Sequence, residues 1–303
     1  MSENAIELSE VTKRFGPKTA VNRVSFTVRE GQCYGLIGPN GAGKTTTFSM
    51  MCGYLFPDAG GLRVLGADPS TPGALKRKVG VLPQDAVLPP AWPVGVLLTY
   101  WARLSGLADP AREAKEALDK VGLPETWKLP AGALSHGMAK RVSMAQALMG
   151  APPVVLLDEP TAGLDPKIAA AVRQLIRDMK GRHTVVVSSH NLQELEELCD
   201  ATALLDRGNL VTAATMAEMT SQAAEFRVQV ARGNVPLPDV RALPGVRAAT
   251  LDPSGVLTVQ FDTTGGAPEE VITRTVGLLV AREVLILGVS RGRKLEDRVL
   301  QLT

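Results

Sequence analysis

One segment limits the possible folds of this chain more than any other feature, and it reads Gly38-Pro39-Asn40-Gly41-Ala42-Gly43-Lys44-Thr45. A glycine, four residues and then Gly-Lys-Thr is the spacing of a P-loop. Glycines let backbone N–H groups curl around phosphate oxygens because no Cβ obstructs the turn. Lys44 can reach the β- and γ-phosphates, and the Thr45 hydroxyl can bind Mg²⁺. The segment therefore predicts a site for a nucleotide and its magnesium ion.

This segment lies between a predicted strand, the apolar run Cys33–Ile37, and a helical pattern that begins near Lys44. Strand, glycine loop and helix in that order indicate a nucleotide-binding α/β core. Further strands are predicted over Ile6–Val11, Val24–Val28, Val154–Leu157 and Thr184–Ser188, and helices over Thr99–Val121, Met138–Met149, Ile168–Met179 and Asn191–Leu198. Gly122–Ala133 contains two prolines and predicts a connector. The alternation of strands and helices predicts a right-handed parallel sheet.

The pattern changes after about Thr220, which predicts a large domain over residues 1–220 and a small one over 221–303. Strands are predicted over Phe226–Val230, Val246–Leu251, Val256–Phe261 and Val284–Val289, and helices over Pro268–Arg282 and Leu295–Leu302. Asp252-Pro253-Ser254-Gly255 has the composition of a turn. We therefore expect a small α+β domain of the split βαβ kind.

Composition narrows the cellular context. The 303 residues include 33 basic and 31 acidic side chains, so no basic excess points to a nucleic-acid partner. The three cysteines are odd in number and far apart in sequence, which suits a reducing cytoplasm and predicts small core residues. The N-terminus lacks the pattern of a secretory signal, and the best apolar window, Thr275–Val289, is interrupted by charges. We expect a partner to supply any passage through a membrane.

A second motif, Val154-Val155-Leu156-Leu157-Asp158-Glu159, is an apolar strand that ends in two carboxylates. Such a strand delivers both acids to the carboxyl edge of the sheet, where ligands bind. Asp158 suits the Mg²⁺ shell, and Glu159 suits the polarisation of an attacking water. Taken alone, the pattern also fits a solvated strand end. Following a P-loop, it predicts a Walker B strand.

The chain from about Ile6 to Leu210 resembles the nucleotide-binding domain of ABC transporters, because further motifs appear in that family's order. They are the Q-loop glutamine Gln84, the signature Leu134-Ser135-His136-Gly137-Met138, the D-loop Gly163-Leu164-Asp165, the switch histidine His190 and the adenine-stacking aromatic Phe15. The resemblance implies an α/β, P-loop NTPase fold of the ABC type, with a mixed sheet, a helical subdomain over about 85–150 and the small α+β domain after it.

The resemblance also implies roles for individual residues. The catalytic set is Glu159, His190, Gln84 and Lys44; ATP is bound by Phe15, Gly38, Pro39, Asn40, Gly41, Ala42, Gly43, Lys44, Thr45, Thr46, Ser135 and Gly137; and Mg²⁺ is bound by Thr45, Gln84 and Asp158. Ser135 and Gly137 would contact ATP held by a second copy of the chain. A head-to-tail pair of copies is therefore expected to complete the site.

The sequence departs from the family pattern at the signature, usually LSGGQ, where His136 and Met138 replace a glycine and a glutamine. His136 adds bulk and a titratable group beside the loop that faces the second ATP, so hydrolysis rate and its pH dependence are expected to differ. Phe15 stands where tyrosine is more frequent, and core packing is the alternative to adenine stacking. For His136 and His183, an ordinary surface or core role is the alternative to a catalytic one.

Membrane partners are implied by two regions. Trp92, Leu97, Tyr100 and Trp101 lie where this family docks on its permease subunits, although core packing explains them equally well. The tail from Lys294 to Thr303 resembles the ending of type 2 exporter ATPases, in which the C-terminal domain is usually regulatory or assists dimerisation.

We therefore expect an ATP-hydrolysing exporter subunit that binds the inner face of the cell membrane through separate permeases. The alternatives are a soluble ABC ATPase acting on nucleic acid or the ribosome, and a module that holds ATP without hydrolysing it. The sequence has neither a second nucleotide domain nor cysteines at zinc-binding spacing, so it does not support the nucleic-acid or ribosome alternative. Intact Lys44, Asp158, Glu159 and His190 argue against the second. The transported cargo is not encoded in any motif.

Overall fold

The computed structural model describes residues 4–220, 225–231, 235–262, 268–292 and 295–302. The chain divides into two compact units, Met1–Ala214 and Thr215–Thr303. The predicted domain boundary falls after residue 220, and residues 221–224 lie outside the described part of the chain. Lys294 and Thr303 of the C-terminal tail motif also lie outside it.

The first unit contains strands from two sheets. Its strands are β1 (Asn4–Phe15), β2 (Lys18–Arg29), β3 (Cys33–Ile37), β4 (Ala59–Val64), β5 (Val79–Leu82), β6 (Val154–Asp158), β7 (Thr184–Ser188), β8 (Ala201–Asp206) and β9 (Asn209–Thr215). In the described residues, β2-β1-β4 form an antiparallel sheet and β5-β6-β7-β3-β8-β9 form the other. The pairs β5–β6, β6–β7, β3–β7 and β3–β8 are parallel, as predicted.

The central strands explain why the parallel sheet could be predicted. Every residue of β3, β6 and β7 is buried, and these strands are covered on both faces. Near-continuous apolar sequence is the signature of such strands. Since β6, β7 and β3 are neighbours and parallel, the segments that follow them meet at one edge of the sheet.

Helices connect these strands: α1 (Lys44–Met51), α2 (Val94–Leu104), α3 (Pro110–Lys120), α4 (His136–Leu148), α5 (Pro166–Met179) and α6 (Leu192–Leu198). The single helix predicted over Thr99–Val121 is wrong, because α2 and α3 are separate. Gly106 has φ +74°, and Asp109 caps α3 by accepting a hydrogen bond from the Arg112 N–H at 3.1 Å. Pro110 at the first position of α3 completes a helix start, which the continuous apolar spacing concealed.

The predicted connector Gly122–Ala133 contains two short 3₁₀ helices, Pro124–Lys128 and Ala131–Ala133. The prediction that Asn191 caps a helix is confirmed, since its side chain accepts a hydrogen bond from the Glu194 N–H at 3.2 Å. Helices α2 to α4 lie within the stretch 85–150 that the sequence predicts to be a helical subdomain.

The second unit has the predicted split βαβ order. After the short helix α7 (Met216–Met219), its elements are β10 (Glu225–Val230), α8 (Leu237–Arg241), β11 (Val246–Leu251), β12 (Val256–Phe261), α9 (Pro268–Ala281), β13 (Ile286–Arg291) and α10 (Leu295–Leu302). In the described residues these strands form an antiparallel sheet in the order β11-β12-β10-β13. The last strand begins at Ile286, two residues later than predicted. Phe226 and Phe261 are buried in this unit's own hydrophobic core.

Candidate nucleotide-binding site

A cleft of about 680 Å³ opens at the carboxyl edge of the parallel sheet. It is lined by Phe15, Lys18, Ala20, Asn40, Gly41, Ala42, Gly43, Lys44, Thr45, Thr46, Gln84, Asp158, Glu159, Ala162 and His190. The structure thus brings together most of the site residues predicted from sequence. Gly38, Pro39, Ser135 and Gly137 are not among the residues that line the cleft.

Glycine is required in the P-loop because the backbone passes very close to other strands. Gly38 has φ +151°, and a Cβ there would lie 2.2 Å from the Leu205 carbonyl oxygen. Gly43 has φ +102°, and its Cβ would lie 2.6 Å from the Ala20 carbonyl oxygen. Both positions exclude every other L-residue unless the backbone moves.

The P-loop leads into α1, whose first turn faces the cleft. Lys44, Thr45 and Thr46 all line it, and the first N–H groups of a helix have no partner within the helix. Such N–H groups, together with the helix dipole, are suited to bind anionic oxygens. This end of the cleft therefore fits a phosphate group.

The Lys44 ammonium lies inside the loop, where its Nζ donates to the carbonyl oxygens of Gly38 at 2.6 Å and Pro39 at 3.2 Å. Gly38 and Pro39 thus hold the lysine rather than line the cleft. Burial lowers the pKa of Lys44, and the negative charges of Glu159 and Asp158 oppose that shift. The lysine therefore balances part of the negative charge of these carboxylates at the P-loop.

Asp158 ends β6 and is only 4% exposed. The Ser188 hydroxyl, at the end of β7, donates a hydrogen bond to its Oδ1. Burial raises the pKa of Asp158, while the Ser188 hydrogen bond and the charges of Lys140 and Lys44 act in the opposite direction. Its carboxylate, the Thr45 hydroxyl and the Gln84 side chain all occur on this cleft, and oxygen ligands of this kind fit Mg²⁺.

Glu159 and His190 form a pair across the ends of β6 and β7. The distance between Glu159 Oε2 and His190 Nδ1 is 2.8 Å. The Glu159 backbone has φ +49°, a left-handed conformation that is unfavourable for a non-glycine residue. Its N–H donates to the Ser188 carbonyl oxygen and hydroxyl, each at 3.1 Å. The strained backbone is therefore held by β7, and such strain is concentrated at functional sites.

Phe15 and Gln84 are exposed side chains at the rim of the cleft. Phe15 ends β1 and is 48% exposed, which rules out the core-packing alternative for this residue. The Lys13 Nζ lies 5.9 Å from the Phe15 ring centroid. An exposed ring at the rim of the cleft fits the predicted contact with a base.

Lys140 is a residue that the sequence analysis missed. It lies in α4, is 8% exposed, and its Nζ donates to the backbone carbonyl oxygen of Gln84 at 3.2 Å. Burial lowers its pKa, and the charges of Asp158, Asp85 and Glu159 oppose the shift. Lys140 lies at helical spacing on the same buried face of α4 as Gly137, Met144 and Ala147. This spacing could have identified it, because an unpaired lysine is rarely buried.

The signature residues lie at the N-terminal end of α4, and none of them lines the cleft. Ser135 is exposed and caps the helix by accepting a hydrogen bond from the Met138 N–H at 3.3 Å. Gly137 lies in the first helical turn, where a Cβ would be 2.7 Å from Ile168 Cδ1. Gly137 therefore packs closely against the Ile168 side chain of α5.

The two other histidines differ in their surroundings. A Cβ added at Gly163 would lie 3.2 Å from the His136 Nε2, so the imidazole packs against the D-loop. His183 Nδ1 lies 2.7 Å from the Pro152 carbonyl oxygen, outside the cleft, as its alternative structural role predicts.

Comparisons with known proteins identify the family. A family model described as ABC transporter matches residues 21–162. A Nod factor export ATP-binding protein I from Burkholderia lata is 40% identical over 210 residues, which cover 68% of this chain and 69% of that protein. The linearmycin resistance ATP-binding protein LnrL from Bacillus subtilis is 30% identical over an alignment of 307 residues that covers 98% of both. The chain belongs to the ABC transporter ATP-binding family.

Solved structures agree with this membership of the ABC family. A structure described as the ATP binding subunit of an ABC transporter has a TM-score of 0.66 and 26% identity, and the match covers 72% of this chain and 92% of that one. A second, cbiO1 from Clostridium perfringens, has a TM-score of 0.65 at 24% identity, covering 73% of this chain and 92% of that one, which shows the shared fold. The predicted P-loop fold is thereby confirmed, and membership of the ABC transporter ATP-binding family confirms the predicted class of ATPase.

Proposed function

We propose that this ATPase is the motor subunit of an ABC exporter, and that it works with separate permease subunits. The pair Glu159–His190 on the cleft that holds the P-loop carries the proposal, because it supplies a candidate base and a residue that orients it. The relatives described as Nod factor export and linearmycin resistance proteins support an export role. The names of these relatives do not identify the cargo that this chain helps to export.

Different residues of the cleft have different roles in the proposed ATP hydrolysis. Mg²⁺, held by Thr45, Asp158 and Gln84, would neutralise negative charge on the phosphates. The α1 N-terminus and Lys44 bind the phosphate oxygens, while Phe15 stacks on the adenine.

Glu159 accepts a proton from the attacking water, and His190 orients Glu159 and the terminal phosphate. The Ser188 hydrogen bonds hold the Glu159 backbone while this occurs.

A second copy of the chain completes the site in this proposal. Ser135 is exposed at the N-terminus of α4 and is not among the residues lining its own chain's cleft. Its hydroxyl hydrogen remains available because the capping bond uses the oxygen as acceptor. A head-to-tail pair would bring this helix start, with Ser135 and Gly137, to the ATP of the partner. The small C-terminal unit would assist dimerisation or regulate it.

The helical subdomain offers a docking groove for the permease. Trp92, Val96 and Tyr100 are each at least 42% exposed and line a groove of about 480 Å³. The Trp127 ring packs on α2 at Gly95, where a Cβ would lie 2.4 Å from the ring. Leu97 is buried and Trp101 is half-buried, so the four residues predicted to dock on the permease divide between core and surface. Exposed aromatic side chains of this kind are enriched at interfaces.

Peripheral attachment to the cytoplasmic face of a membrane would follow from that contact. Within the described ranges, no helix has both the length and the apolarity needed to cross a bilayer. The nucleic-acid alternative receives no support from the relatives described above or from the balanced charge.

Replacing Glu159 with glutamine tests the proposal. Glu159→Gln removes the base and preserves shape, so we expect kcat for ATP hydrolysis to fall by about 10²- to 10⁴-fold. Affinity for a fluorescent ATP analogue should change little, because phosphate binding rests on the P-loop. Phosphate release and analogue fluorescence measure the two quantities. Near-normal hydrolysis in this variant would contradict the assignment.

A further inference from the structure

Glu194, in α6, is a buried carboxylate that none of the motifs includes. It is 3% exposed. Its Oε2 accepts hydrogen bonds from the Thr161 hydroxyl at 2.7 Å and the Ser189 hydroxyl at 3.1 Å. Its Oε1 is buried and has no hydrogen-bond partner, and no ion pair to Glu194 is found in the described part of the chain.

The two donors belong to the two loops that carry the Glu159–His190 pair. Thr161 follows Glu159 by two residues in the loop after β6, and Ser189 directly precedes His190 in the loop after β7. The same loops are thus joined twice, by the 2.8 Å contact of Glu159 with His190 and by Glu194 through its two hydroxyl donors. One carboxylate oxygen therefore bridges the backbones that present both residues.

Stability alone does not explain a carboxylate at this position. Burying a carboxyl group whose Oε1 has no hydrogen-bond partner is costly, and this cost offsets what its two hydroxyl hydrogen bonds contribute. Leu195 and Leu198 already supply the apolar contacts of this short helix. The hydrogen bonds of Glu194 lead instead to two loops of the catalytic cleft.

We propose that Glu194 is a positioning residue that sets the separation of Glu159 and His190. It acts through Thr161 and Ser189 and does not touch the nucleotide. This role rests on the proposed function of the Glu159–His190 pair in hydrolysis. Because small displacements of reacting groups lower rates strongly, loss of the bridge reduces turnover and leaves nucleotide binding intact.

Replacement of Glu194 in the full-length protein tests the role. Glu194→Leu should lower kcat by at least about tenfold, with KM for ATP and affinity for a fluorescent ATP analogue within about twofold of wild type. Glu194→Gln should recover most of the rate, because its side-chain oxygen accepts the same two hydroxyl hydrogen bonds. Gln193→Leu is the matched control, since Gln193 is exposed on the same helix, and it should keep the wild-type kcat.

A double-mutant cycle with His190→Ala separates positioning from general support of the fold. If Glu194 acts by placing His190 against Glu159, Glu194→Leu should change kcat by less than about twofold once His190 is removed. An equal loss of kcat in both backgrounds would overturn the proposal. So would an unchanged kcat in folded Glu194→Leu.

A second pair of variants applies where Glu194→Leu does not fold. Thr161→Val and Ser189→Ala each remove one donor and leave the carboxylate, and their combination should reproduce the loss of kcat at unchanged analogue affinity. Normal turnover in the combined variant would also overturn the proposal. The Glu159→Gln result separates the two levels: active Glu159→Gln contradicts the proposed base itself, whereas inactive Glu159→Gln with an additive cycle contradicts only the role of Glu194.

Discussion

Backbone conformation at single residues helps to shape the candidate nucleotide-binding cleft. Glu159 has φ +49°, and Gly38 and Gly43 have φ +151° and +102°. The glycines meet this requirement because they have no Cβ, whereas Glu159 meets it through two hydrogen bonds to Ser188. A carboxylate accepted in a strained conformation at a cleft edge is consistent with its proposed role as a base.

Gly38 supports a prediction about the P-loop. Gly38→Ala would place a Cβ 2.2 Å from the Leu205 carbonyl oxygen, so the loop must shift. We expect the free energy of unfolding to fall by about 1–3 kcal/mol. Affinity for a fluorescent ATP analogue should also fall by at least about tenfold, because the backbone N–H groups of the P-loop lose their arrangement around the phosphates. Denaturant titration and fluorescence measure these changes.

Gly61→Ala is the matched control for Gly38→Ala. A Cβ at Gly61 meets nothing within 4 Å, and the residue lies in β4 of the same unit. Wild-type stability and affinity are expected for it. Equal behaviour of the two variants would show that the close approach at Gly38 does not matter.

One carboxylate, Asp58, directly precedes β4 and joins it to the end of β1. The Asp58 Oδ2 accepts a hydrogen bond from the Arg14 N–H at 2.6 Å, and Oδ1 accepts one from the Lys13 Nζ at 3.0 Å. Phe15 follows these two residues at the end of β1. Asp58 therefore anchors the strand end that presents the aromatic ring to the cleft.

Asp58 gives this sheet a defined pH dependence. The hydrogen bond from the Arg14 backbone and then that from Lys13 hold the pKa of Asp58 below its ordinary value of 3.8. A carboxyl whose pKa is lower when folded stabilises the protein above its unfolded pKa, and that contribution is lost as pH falls through the folded pKa. We expect Asp58→Asn to have a lower Tm than wild type at pH 7, with the difference closing below pH 3.8. Scanning calorimetry from pH 7 downward tests this, and a constant difference at every pH would contradict it.

Secondary structure was predictable where a single local pattern dominates. The buried strands β3 and β7 were predicted with their observed bounds, because both faces are covered and the sequence is apolar throughout. The break between α2 and α3 was missed, since apolar spacing continues across it while Asp109 and Pro110 start a new helix. Local capping thus overrode a periodicity that spans both helices.

Assembly with a membrane partner is testable through the groove of the helical subdomain. The Trp92 and Tyr100 rings contact each other edge-on, with centroids 5.8 Å apart, and both are exposed. Trp92→Ala with Tyr100→Ala should weaken binding to the permease by at least about tenfold, because exposed aromatic side chains carry much of an interface's energy. Co-purification of the tagged chain with its permease from solubilised native membranes measures the loss. ATP hydrolysis by the isolated subunit should remain unchanged.

Leu104→Ala provides the control for the docking prediction. Leu104 also belongs to α2 and is 57% exposed, but it does not line the groove. It should retain permease binding. Equal losses in the two variants would assign the effect to α2 as a whole, and full binding by the aromatic variant would place the contact elsewhere.

The sequence by itself determined the P-loop, the Walker B acids and the order of the family's motifs, because each depends on residues that are neighbours along the chain. Tertiary structure decided which distant residues meet. The three cysteines were predicted as small core residues; Cys33 and Cys199 are buried, and the fold brings their Sγ atoms to 3.9 Å as free thiols, while Cys52 is half-buried. Lys140 reaches the Gln84 carbonyl oxygen, and Glu194 joins Thr161 to Ser189. No local pattern encodes these contacts, since they arise only where parallel strands and their following helices place separate loops at one edge of the sheet.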